Sequence, residues 1–163
     1  NEAGDTGYEL SNPTVADDAV SYLFDLDDAA LSSQKACRQI VTSKPGTPCR
    51  VSMQDAEVGE SVILFNYTHQ PQDSPYQANH AVFVRENADQ AQFAINEVPE
   101  VIRSRLISLR FFDHDHMMCD ADVVPCEAVA QAIATAFDND QIAYIHIHNA
   151  KPGCFAASAH RVA

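Results

Sequence analysis

From residue 144 to residue 148 the chain alternates rings with isoleucines: Tyr144, Ile145, His146, Ile147, His148. A period of two suits a β-strand and no helix, because successive strand side chains leave on opposite faces. The pattern predicts Tyr144, His146 and His148 on one face, with Ile145 and Ile147 in a core. Lys151, Pro152 and Gly153 then form a turn signal that ends the strand and sets Lys151 and Cys154 beside it. Two imidazoles, the Asn149 amide, an ammonium and a thiol so close together predict a site.

Other segments extend this reading. Residues 61–69 are apolar on both faces, as a central strand requires. Further strands are expected at 37–41, 49–53, 79–85, 105–112, 117–124 and 155–159, with a polar hairpin tip at 113–116. Pro125 opens the strongest helical pattern, in which Val129, Ala132, Ile133, Ala136 and Phe137 recur at helical spacing. A shorter N-terminal helix starts at Asn12-Pro13, and Asp27 caps a further short turn. Few helices among many strands predict an α+β fold. Its sheet is expected to be curved and antiparallel-rich, with one principal helix at about 125–137. The chain of 163 residues is read as a single domain, 1–163, with a flexible end at 1–7.

Charge narrows the partners. Twenty-three acidic residues against ten basic ones give a formal charge of −13, which argues against nucleic acid and anionic membranes. The polar, acidic start is unlike a signal peptide, and no apolar run has the ~18 residues of a membrane span. Five cysteines without CxxC spacing fit neither a zinc ribbon nor a disulfide scaffold, so reduced thiols and a cytoplasmic, soluble protein are expected. Two Lys-Pro-Gly turns, at 44–46 and 151–153, each precede a cysteine and are expected to share one mouth.

A set of ordered blocks is familiar: Pro48-Cys49-Arg50-Val51-Ser52, Gln54-Asp55-Ala56, Val58-Gly59-Glu60, Asn66-Tyr67 with His69-Gln70-Pro71, Asp73-Ser74-Pro75-Tyr76, and His80-Ala81-Val82-Phe83-Val84-Arg85. Asp120-Ala121-Asp122-Val123-Val124 and the run from Tyr144 through Cys154 complete them. Over about residues 8–160 the chain resembles a bacterial family catalogued as domain of unknown function 1203. The resemblance implies a small, stand-alone, soluble protein and carries no activity, cofactor or catalytic residue. His114 and His116 depart from its pattern.

Function is therefore read from the residues. His146, His148 and Cys154 are the candidate catalytic groups, the imidazoles as general base and the thiol as a nucleophile ionised by a nearby cation. Arg50, Asn66, His69, His80, Arg85, Asn149 and Lys151 are the candidate ligand-binding groups, since scarce cations beside apolar strands suit a small carboxylate or phosphate. The expected function is binding of a small polar or anionic molecule in a His/Arg/Lys-lined pocket, with acid–base catalysis as its enzymatic form. No motif demands a cofactor. The alternatives are a divalent metal on His80, His146 and His148, and an interaction protein whose His and Cys residues are structural.

Overall fold

Strand pairing organises the molecule, and every named strand pair in the computed structural model is antiparallel. The structure describes residues 7–11, 20–44, 46–86, 88, 92–103 and 105–162. The expected flexible end, apart from Gly7, and the helix start at Asn12-Pro13 lie outside them. The fold is α+β, with mostly antiparallel sheet and few helices. Among the described residues, no helix is long and apolar enough to cross a membrane.

The chain forms two compact units. The first comprises residues 1–11, 72–77 and 92–163. It carries β1 (Tyr8–Ser11), α2 (Glu100–Arg103), β5 (Ile107–Phe112), β6 (Met118–Val124), α3 (Val129–Phe137), β7 (Tyr144–Asn149) and β8 (Phe155–Arg161). Its sheet runs β1-β8-β7-β5-β6. Ile145 and Ile147 are fully buried, as are Ile107 and Leu109 on the neighbouring strand, so alternation does put the isoleucines in a core. Ile107 and Leu109 lie opposite Asn149 and Ile147, on one face of the sheet. Helix α3 buries Val129, Ile133 and Phe137. Arg161 ties its end down, donating to the carbonyls of Phe137, Asn139 and Ile142 with its guanidinium over the Phe137 ring. The helix ends at Phe137. Its start differs: Pro125 is extended at ψ 156°, and residues Cys126–Ala128 form a 3-10 turn before the α-helix begins.

The second unit comprises residues 12–71 and 78–91. A 3-10 turn at Ser21–Asp25 leads to α1 (Asp28–Ser33), whose Asp27 cap accepts from the Ala30 amide at 2.8 Å. Strands β2 (Ala36–Ile40), β3 (Ser61–Gln70) and β4 (Ala78–Arg85) follow, with β3 central as its two-faced apolar pattern requires. One side of β3 packs Ile63 with Val84, Leu23, Leu31, Cys49 and Val51; the other packs Val62 with Val41, Ala56 and Phe83. The strand expected at 49–53 is a tight turn instead. Met53 takes a φ of 56° and donates to the Cys49 carbonyl at 3.0 Å, while only Pro48, Cys49 and Asp55 make isolated bridges. Closing that turn lets Cys49, Arg50, Val51 and Met53 all be buried, which a half-exposed strand would forbid.

Candidate functional site

In the first unit, β7 carries the histidines because its alternation leaves no other face for them. His146 lies opposite Arg110 on β5 and Ser158 on β8; His148 lies opposite Ser108 and Phe155. Both rings are buried, at 5% and 1% exposure. His146 is walled by the rings of Phe112, Phe155 and Tyr144, with centroids at 4.9, 5.2 and 5.3 Å, and His148 is 6.4 Å away. Tyr144 stacks on Phe112 at 5.1 Å, and its hydroxyl is 2.9 Å from His116 Nδ1.

The turn after β7 defines the proton on His148. Asn149 and Cys154 close it through Asn149 N–H to the Cys154 carbonyl (2.9 Å) and Gly153 N–H to the Asn149 carbonyl (2.8 Å). Gly153 sits at φ +82°, which only glycine adopts without strain. That conformation brings its carbonyl to 3.0 Å from His148 Nδ1. A carbonyl only accepts, so Nδ1 carries the hydrogen and Nε2 keeps the lone pair. The Pro-Gly signal thus orients an imidazole. Lys151 is exposed at the tip, and the half-buried Cys154 thiol accepts from the Asn149 amide at 3.4 Å.

The second unit holds the other candidates. Arg85 grips Glu60 with two bonds, Nε to Oε2 at 2.6 Å and Nη2 to Oε1 at 2.8 Å. That hydrogen bonding holds the Glu60 carboxyl below the usual carboxylate range and raises Arg85. Arg50, 2% exposed, donates from Nη1 to the Pro48 carbonyl at 2.7 Å. Lys44 pairs with Glu57. Asn66 lies opposite Ala81 and His80 lies opposite Tyr67, so Asn66 and His80 face opposite sides of the sheet. His69 is buried near the end of β3. The anion-binding cations of this unit are thus spoken for by its own acids and carbonyls.

Within the first unit, the buried His146 and His148, with ring centroids 6.4 Å apart, each offer a ring nitrogen that could hold a metal ion. The donor set is all imidazole, which suits zinc, iron, copper or nickel and does not suit magnesium or calcium. The His148 geometry fits a ligand, since metal-bound histidines characteristically donate their other N–H to a carbonyl or carboxylate.

Sequence comparison places this arrangement in a family. The family described as Protein of unknown function (DUF1203) matches residues 46–161. The chain belongs to the DUF1203 family. The matched span holds every candidate residue, from Arg50 to Cys154, while β1 precedes it. No curated protein and no solved structure matches the chain.

Arg110, on β5, is the most unusual of the described arginines. Partial burial lowers its pKa, and it makes no hydrogen bond or ion pair among the described residues. The other described arginine side chains all do.

Proposed function

We propose that this DUF1203 protein binds a divalent transition-metal ion through His146 and His148, and presents it to a small polar or anionic ligand. The observation that carries this reading is the pair of buried imidazoles on one face of β7. The defined tautomer of His148 supports it, because only a neutral ring with a free lone pair can bind metal. Two imidazole ligands leave coordination positions for water or substrate, as catalytic rather than structural sites do. A bound ion supplies Lewis acidity, polarising an oxygen ligand or acidifying a bound water. This reading replaces the arginine-lined anion pocket, whose cations in the second unit are engaged with Glu60, Glu57 and the Pro48 carbonyl. The small anion remains, held by the metal rather than by those residues.

The test is elemental analysis of protein purified without an affinity tag, followed by titration of the metal-free protein with Zn(II), Co(II), Ni(II), Fe(II) and Cu(II). About one ion per chain is expected, with binding lost in His146→Ala and His148→Ala. Metal should leave as pH falls through the imidazole range near ~6.5, where protons compete for the same nitrogens. If the wild type holds no ion more tightly than these variants, the metal reading is wrong.

A further inference from the structure

The face of the first unit's sheet that carries His146 also carries Arg110, directly across the β5–β7 ladder. Residues so paired have Cβ atoms about 4.5–5.5 Å apart and project to the same side. Phe112, two residues along β5, confirms that side by packing on both Tyr144 and His146. Arg110 is half-buried, yet no described carboxylate or carbonyl receives it. The nearest acids on β6, Asp120 and Asp122, lie opposite Phe111 and Leu109, so alternation sends them to the other face. Each accepts instead from the backbone amide that follows it, at 2.9 and 2.8 Å. What stands beside Arg110 on β6 is Ala121, which has no charge to offer.

In a chain of net charge −13, a half-buried guanidinium left without an acid is an exception that requires a reason. We infer that Arg110 is the anchor for a small carboxylate ligand. The inference rests on the metal reading for the ligand's second contact: one end of the acid meets the guanidinium fork, and an oxygen reaches the ion held by His146 and His148. A carboxylate matches the planar fork with two parallel hydrogen bonds. The surroundings choose it over phosphate. The rings of Phe112, Tyr144 and Phe155 make the surroundings largely apolar, which suits a carboxylate with one charge to desolvate better than a phosphate dianion.

The experiment uses cobalt(II)-loaded protein, whose visible spectrum reports ligands on the ion, titrated with acetate, glycolate and inorganic phosphate. Wild type should respond to the two carboxylates, and Arg110→Gln should keep its cobalt while needing about ten to a hundred times more acid. Arg110→Lys should recover only part of the loss, because the ammonium lacks the fork. Since Arg110 has no partner among the described residues to lose, Arg110→Gln should melt within about 2 °C of the wild type without ligand. Equal carboxylate responses in wild type and Arg110→Gln, both holding cobalt, would overturn the inference and leave the metal reading standing. A stronger response to phosphate would overturn the ligand class. If wild type holds no cobalt, the metal reading fails and the metal-free protein decides. Thermal stabilisation by the carboxylates that vanishes in Arg110→Gln then supports the anchor, and its absence in wild type refutes it.

Discussion

Gly153→Ala separates the cost of backbone strain from the loss of support to a ligand. Gly153 sits at φ +82°, and a Cβ built there meets nothing within 4 Å, so the substitution adds strain without collision. An L-residue in that region costs about 1–2 kcal/mol. For a chain of this length, each kcal/mol lowers the melting temperature by about 2–4 °C, giving a drop of about 2–8 °C. Gly59 provides the control: its φ is +91°, an added Cβ there also meets nothing, and its turn lies in the other unit. Gly59→Ala should therefore melt lower by a similar amount. The two variants should part in metal affinity. If alanine pulls residue 153 toward negative φ, its carbonyl leaves His148 Nδ1, and losing such an orienting bond typically weakens a metal site by about 10–100-fold. The measurements are melting in chelator, which excludes stabilisation by metal, and zinc affinity by competition with a chromophoric chelator. Equal zinc affinity in the two variants would refute the role given to the Gly153 carbonyl. An unchanged melting temperature in both would refute the strain argument itself.

Two further outcomes concern protons. Glu60 titrates below its unfolded value because Arg85 holds it, so the pair's stabilisation is present above ~4.3 and is lost as pH falls through the folded value. With both side chains about a quarter exposed, that contribution is about 1 kcal/mol, and Glu60→Gln should flatten the urea-stability profile on the acid side of pH 5; an unchanged slope would count against it. Partial desolvation against the stacked Tyr144 ring lowers the pKa of the otherwise exposed His160, so the fold modestly favours the neutral ring, a contribution complete above ~6.5 and declining below. His160→Gln should lose less stability than wild type between pH 7 and pH 5, and equal losses would show that His160 is not among the residues responsible.

Local pattern was sufficient where one face of an element is core. The alternation at 144–148, the two-faced run at 61–69 and the helical stripe ending at Phe137 each report burial directly, and burial is what decides those elements. Strand β1 had no such signal. Its four residues, Tyr8–Ser11, include a glutamate and a serine, and it exists by pairing with β8. Asn96, 88 residues away, brackets Tyr8 by accepting from its amide and donating to its carbonyl. The tight turn after Cys49 was hidden for a related reason: an apolar–polar alternation reads as strand whether or not a neighbour is present to pair with it.

The site residues show where alternation stops being enough. Along β3, Tyr67 pairs with His80 and Gln70 pairs with Ala78, so three steps on one strand are matched against two on the other. That extra residue is a β-bulge, which re-aims the side chains beyond it. Period-two counting from Asn66 or Tyr67 therefore cannot say which way His69 points. His80 stands on the regular stretch before the bulge, paired with Tyr67, so counting does place it. Arg110 is the converse case. Its strand was readable, but its isolation depends on β6 pairing in the one register that puts Ala121 beside it. A shift by a single residue would have turned Asp120 or Asp122 toward the guanidinium and closed an ordinary salt bridge. What distinguishes a candidate binding residue from a structural ion pair here is thus a parity between two strands, a quantity that exists only once the chain has folded.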